Sequence, residues 1–271
     1  MEIVVNGITE APLDSEPSVH QGSYYFNALT CLDFDPSNPP LADLLRLYHG
    51  LEGHWLVASP IHWEVTHNDA MIVATNEELA LSDEESRAWF LEIAAFLQSN
   101  DIESFYHDPY TWLLKIDHKP TISSKSVYAM LHQSLMPALN TLDEKLYWQR
   151  LITELQMYLS SHPLNNNRQN KLAINGLWFW GEGEFQFLTE KQVFTDDEIF
   201  LSVSAKTDKP FQPLTQTSSH DKDSLLLIKY PHQKDIALLQ EKTQKNTVQW
   251  YWNNLAYVKH PIRWWSRLWR S

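Results

Sequence analysis

The residues best equipped for chemistry cluster in one stretch of the chain. His162-Pro163-Leu164-Asn165-Asn166-Asn167-Arg168 is followed by Ile174-Asn175-Gly176-Leu177-Trp178-Phe179-Trp180-Gly181-Glu182-Gly183. An imidazole, a run of amides, a guanidinium and a carboxylate thus fall beside two indoles. Arg168 can grip a carboxylate or phosphate with two parallel N–H bonds. His162 and Asn165 can add further hydrogen bonds. Asn175 and the turn Gly181-Glu182-Gly183 bracket the apolar run, and the two glycines permit close backbone approach. His62, after Ala58-Ser59-Pro60-Ile61, is a further pocket candidate. The chemistry these groups suit is recognition of a small anion. A structural reading stands beside it: Arg168 clamps Glu182, the asparagines satisfy loop backbone, His62 bonds a neighbouring carbonyl, and Trp178 and Trp180 fill the core.

Such residues need elements to position them. Residues 146–159 predict the clearest helix, because Trp148, Leu151, Ile152, Leu155, Tyr158 and Leu159 form a continuous stripe. Pro163 must end that helix near His162. Residues 177–181 read as a buried strand. Upstream, residues 2–8 read as a short buried strand around Ile3-Val4-Val5, and residues 11–40 as an irregular excursion. Residues 41–48 predict a helix, 55–63 a strand and 70–75 its sheet neighbour. Ser82-Asp83-Glu84-Glu85 is a helix start with a hydroxyl cap and a glutamate three residues on. Residues 105–116 predict a strand pair broken at Asp108-Pro109, and 126–135 a helix stopped by Pro137. Residues 205–223 read as a mobile loop, 224–230 as a strand, 235–243 as a helix, 248–258 as one or two aromatic strands and 262–270 as a terminal helix. This alternation predicts an α/β fold with a mixed, mostly parallel sheet flanked by helices, taken as one domain over 1–271.

Composition removes several classes. The net charge of -13 disfavours nonspecific nucleic-acid binding, and 7 glycines argue against a glycine-rich nucleotide site. The single Cys31 excludes an intrachain disulfide and a multi-cysteine metal cluster. Residues 1–10 lack a leader pattern and no apolar run approaches a membrane span, so a cytoplasmic protein is expected. After Glu241 every charged residue is basic: Lys242, Lys245, Lys259, Arg263, Arg267 and Arg270. Five of the 12 tryptophans, Trp250, Trp252, Trp264, Trp265 and Trp269, share this tail. It either closes the core, its arginines facing the acidic body, or meets a protein partner.

The central stretch resembles the RpfE-type regulatory proteins, a family also described as cofactor-independent phosphoglycerate mutase-like. The resemblance rests on Glu154-Leu155-Gln156-Met157, on His162 to Arg168, and on Asn175 to Gly183, with Ala58-Ser59-Pro60-Ile61-His62 upstream and the Trp/Arg segment at the end. Residues 1–40 match poorly. The element from Asn175 to Gly183 is similar to one in metal-dependent phosphoglycerate mutases of the alkaline phosphatase superfamily. That implies a reduced fold of this type, with His162, Asn165, Arg168, Asn175, Gly181, Glu182, Gly183 and His62 facing a small phosphorylated metabolite. The superfamily's chemistry needs two divalent ions, Mn or Mg, and a Ser or Thr nucleophile. Its first ligand follows the first strand, where this chain has Asn6-Gly7. Its late ligands follow an apolar strand as Asp-His, whereas His220-Asp221 here precedes one. The expectation is therefore a noncatalytic or regulatory protein needing no cofactor. The alternative is an active metal-dependent cofactor-independent phosphoglycerate mutase or phosphatase.

Overall fold

The computed structural model describes residues 1–18, 22–65, 69–186, 189–205, 207–208, 210–214 and 223–261. In chain order, the first half holds β1 (Glu2–Val5), β2 (Ser15–Ser18), α1 (Tyr24–Cys31), α2 (Leu41–His49), β3 (Trp55–Val65), β4 (Ala70–Thr75), α3 (Asp83–Gln98), β5 (Ser104–Asp108), β6 (Thr111–Lys115), α4 (Val127–Met130) and α5 (Leu135–Leu139). The second half holds α6 (Tyr147–Ser160), β7 (Gly176–Trp180), β8 (Gln192–Thr195), α7 (Glu198–Ser204), β9 (Gln212–Pro213), β10 (Ser224–Ile228), α8 (Gln233–Lys242), β11 (Val248–Tyr251) and β12 (Ala256–Lys259). Single 3-10 turns cover Asn76–Leu79 and Pro163–Asn167. Among the described residues no helix is long and apolar enough to cross a membrane.

The chain divides into two compact units, where the sequence had suggested one domain. Met1–Phe34 with Gln186–Ser271 forms the first, and Asp35–Phe185 the second. The chain leaves the first unit and returns to it, so no linker-like stretch of composition marks the boundary.

The first unit carries the mixed, mostly parallel sheet, in the order β2-β12-β11-β1-β10-β8-β9. From β11 to β9 every neighbouring pair is parallel, and β12 and β2 are added antiparallel at one edge. Its central strands are apolar on both faces: Ile3, Val4 and Val5, and all of Leu225, Leu226 and Leu227, are fully buried. A strand covered on both sides reads as a continuous hydrophobic run, which is what these short segments are. The excursion expected over residues 11–40 contains β2 and α1. Helix α1 escapes a periodicity search because seven of its eight residues are buried, which leaves no polar face to set a phase.

The second unit is built on a five-stranded antiparallel sheet. Long β3 pairs with β6 and then β4 along one edge, and with β7 along the other, while β5 extends β6. Here the expected helices appear with their caps: Ser82 Oγ accepts from the Glu85 N–H at 3.1 Å at the start of α3, and α6 buries Trp148, Leu151, Ile152, Leu155 and Leu159. One expectation fails. Pro137 does not end a helix over 126–135 but sits in the first turn of α5, after a separate short α4. A proline there forfeits only an N–H that has no intrahelical acceptor. The terminal helix expected over 262–270 and most of the loop at 205–223 lie outside the described residues.

Candidate functional site

Helix α6 delivers the chain to His162, whose extended backbone caps the 3-10 turn Pro163–Asn167. His162 Nδ1 accepts from the Leu164 N–H at 3.3 Å. Its ring lies 5.1 Å from those of Trp89 and Tyr158, and its Nε2 is 3.6 Å from Glu92 Oε2. Asn165 closes the loop on itself. Its amide donates to the carbonyls of Leu159 and Ile174 at 2.9 and 3.0 Å, and its Oδ1 accepts from the Ile174 N–H at 2.9 Å.

Arg168 is 3% exposed, and each of its three nitrogens donates a hydrogen bond. Nε donates to the Leu172 carbonyl at 2.7 Å, Nη2 to the Leu79 carbonyl and Nη1 to Glu85 Oε1. Lys171 joins the same carboxylate at 3.2 Å and the Ala80 carbonyl at 3.0 Å. The clamp that the structural reading attributed to Glu182 is therefore made with Glu85, on the first turn of α3. The partner is distant in sequence, and its own role as the third residue of a capped helix start hides it.

Asn175 acts as a strand surrogate. Where β3 bulges between His62 and Trp63, its side chain accepts from the Trp63 N–H and donates to the Trp63 carbonyl, both at 2.8 Å. His62 Nδ1 lies 2.8 Å from the Ala173 carbonyl. Thus His162, Asn165, Arg168, Asn175 and His62 all gather where the chain enters β7.

Gly181, Glu182 and Gly183 lie at the other end of β7, about 15 Å away for a five-residue strand. Gly181 has φ +80, and a Cβ there would stand 3.2 Å from Val57 Cγ2. Its N–H donates to Asn38 Oδ1 at 2.8 Å, and its carbonyl accepts from Ala42 at 3.2 Å. Glu182 accepts from both the N–H and the hydroxyl of Ser124 at 3.0 Å. Gly183, φ +117, lies against Pro40. Between the two groups, Trp178 and Trp180 are buried, their indoles donating to the Lys125 carbonyl at 2.8 Å and Ser59 Oγ at 2.9 Å. The motif is one strand with a polar staple at each end, and its two halves do not converge on a single pocket.

A second polar group, of which sequence reasoning singled out Asn6 and missed the rest, lies in the first unit beyond the carboxyl ends of the parallel strands. That crest is where parallel sheets present their ligand-handling residues. Asn6 follows β1, Asp196-Asp197 follows β8 and Lys229-Tyr230 follows β10. Asp196 accepts from the N–H groups of Lys229 and Tyr230 at 2.6 and 3.2 Å. Asp197, 1% exposed, caps α7 through the Ile199 N–H at 2.9 Å. Burial pushes the Asp197 carboxyl above the usual carboxylate range, against the opposing pull of Ile199, Lys229 and Tyr25. The Lys229 ammonium lies over the rings of Tyr25 and Tyr24, 4.2 and 5.0 Å from their centroids. Burial, with Asp197 next, pushes the Tyr24 hydroxyl well above its ordinary range. The signal that could have found this group is the residue pair directly after each buried apolar run. Among the described residues no group of three or more His, Cys, Asp and Glu side chains is placed to hold a metal ion.

No protein-family model matches the chain, and no curated protein matches it. Among solved structures, the chain is similar to a cofactor-independent phosphoglycerate mutase from Thermoplasma acidophilum DSM 1728. The similarity spans 96% of this chain and 89% of that one, at 13% identity and a TM-score of 0.36.

Proposed function

We propose that this chain is a noncatalytic, regulatory protein of the cytoplasm, phosphoglycerate mutase-like in its motifs. The observation that carries the reading is Lys229. A metal-dependent phosphomutase gathers carboxylates and imidazoles at the strand ends to hold two divalent ions. Here the residues after β1 and β10 are an amide and a lysine, and the ammonium of Lys229 shares the crest with Asp197. A fixed cation beside the one deeply buried carboxylate among the described residues opposes the entry of a second positive charge. The loop 162–168 serves in this reading as a brace. A small phosphorylated metabolite, the ligand implied by the family resemblance, would reach Arg168 only by exchanging with Glu85.

Two measurements test this. With Mn2+ or Mg2+ and 3-phosphoglycerate, the purified protein is expected to show no turnover; metal-dependent turnover lost in Asp197→Asn would overturn the noncatalytic reading. For the ligand, 3-phosphoglycerate binding by calorimetry is expected to strengthen about tenfold in Glu85→Gln, as an unpaired Arg168 becomes available. An unchanged affinity in that variant would leave the loop as a brace alone.

A further inference from the structure

On one face of the parallel sheet, the first unit has a cavity of about 350 Å³ between α8 and β10. Its floor is Leu226 and Ile228, two residues apart and so on the same face of β10. Ile236 and Leu239 of α8 form the roof, and Leu214, bonded through its N–H to the Thr195 carbonyl at 2.8 Å, closes a side. This apolar wall is continuous with the packed cluster of Ile3, Val5, Phe194, Trp250 and Tyr257. Helix α8 covers that face thinly, since Ile236, itself 9% exposed, is the one residue it buries. The volume falls in the range of small-ligand sites, and the position, at the carboxyl end of β8 and β10, is where such sites form in parallel sheets.

The mouth of the cavity has a sign. Asp196 and Asp235 both line it, with the exposed ring of Tyr230 between strand end and helix start. Asp197 and Glu198 follow directly in sequence, and their charges together with that of Asp196 add to the effect of burial in raising the Tyr230 hydroxyl. Three basic groups stand against this negative sign: His232 lines the cavity at the start of α8, Lys229 follows β10 with its ammonium turned over the Tyr24 and Tyr25 rings, and Lys242 belongs to the far end of α8, two turns from Asp235 and about 10 Å along the helix. Carboxylates beside an aromatic ring are the combination that receives an ammonium group, through direct charge attraction and the ring's negative face.

We propose that this cavity binds a cationic amphiphile, a small molecule with an apolar body and an amine or quaternary ammonium head. The body takes the place between α8 and β10, and the head lies against Asp196, Asp235 and Tyr230. This site is independent of the 162–168 loop and of the proposed regulatory role, and it takes a ligand of the opposite charge.

The probes are octyltrimethylammonium and octanoate, used below micelle-forming concentration with the full chain and followed by calorimetry. The expected result is saturable one-to-one binding of octyltrimethylammonium, with octanoate weaker by about tenfold or more. Leu239→Trp, which fills the cavity, should abolish binding with the circular dichroism spectrum unchanged. Because that variant could disturb the fold, Asp235→Lys provides a second test at the rim: it should weaken the cation about tenfold and strengthen octanoate. Equal affinity for the two probes, or cation binding indifferent to Asp235→Lys, would overturn the proposal.

Discussion

The two polar clusters of this molecule hold charge in opposite ways. Around Arg168, every charged group meets its partner directly: guanidinium to Glu85, ammonium of Lys171 to the same carboxylate, and one further guanidinium N–H to each of the Leu79 and Leu172 carbonyls. At the crest of the parallel sheet, the Lys229 ammonium lies over aromatic rings, and Asp197 is buried deeply enough that desolvation outweighs its favourable neighbours. The first arrangement is what a brace requires, because direct bonds resist distortion and leave little for a ligand. The second leaves an energetic tension that protonation can relieve. The residues that look most chemical in the sequence are thus bonded to other groups of the chain, and the tension sits in a group with no motif.

If the brace reading is right, removing its centre has the largest effect. Arg168→Met strips Glu85 of its main partner and leaves the Leu79 and Leu172 carbonyls without a donor. The two carbonyls left without donors, with the lost ion pair to a carboxylate that Lys171 still holds, cost about 2–4 kcal/mol, to be read from urea unfolding of the full chain. Arg168→Lys should recover little of this, since a single ammonium cannot reproduce three divergent bonds. A loss below about 1 kcal/mol in Arg168→Met would make the two clusters alike and remove the contrast. Asn175→Ala comes next. It orphans the N–H and carbonyl of Trp63 at the β3 bulge, an expected loss of about 2 kcal/mol. Asn175→Asp should be as damaging, because it sets a carboxylate oxygen against the Trp63 carbonyl.

The contrast also explains what the sequence could reveal. Most of the second unit was legible because its longer helices are amphipathic and its strands have polar turns between them: α3 with Ser82, and α6 with its Trp148 stripe, follow from local pattern alone, whereas α4 and α5, of four and five residues, are too short to show a period. The mostly parallel sheet was legible in β1 and β10, whose short apolar runs have no other use. Helix α1 was not, being buried nearly all round, and β8 and α7 are too short to show a period. At the motif, residue types identified which side chains were special and could not say whether they faced a ligand or each other. That depends on Glu85, which lies 83 positions from Arg168. The crest was illegible for a related reason: Asn6, Asp197 and Lys229 become neighbours only through strand order.

The smallest expected effect, and the one that separates the clusters most cleanly, has the opposite sign. Asp197→Asn keeps an oxygen able to cap α7 through the Ile199 N–H and removes the buried charge. In the wild-type protein the folded-state pKa of Asp197 is raised above its unfolded value. The folded state therefore holds this proton more tightly than the unfolded state does. Stability from this group is complete at pH below the unfolded value, falls as pH rises through the interval up to the folded value, and stays reduced above it. Asp197→Asn should lack that decline, so its stability relative to wild type should grow as pH is raised from the acid side of the carboxylate range towards neutrality. Paired urea titrations at several pH values measure the difference directly. A variant that is less stable than wild type at neutral pH, with a parallel pH profile, would mean that Lys229 compensates Asp197 fully. The crest would then be a second brace, differing from the first only in the length of its contacts.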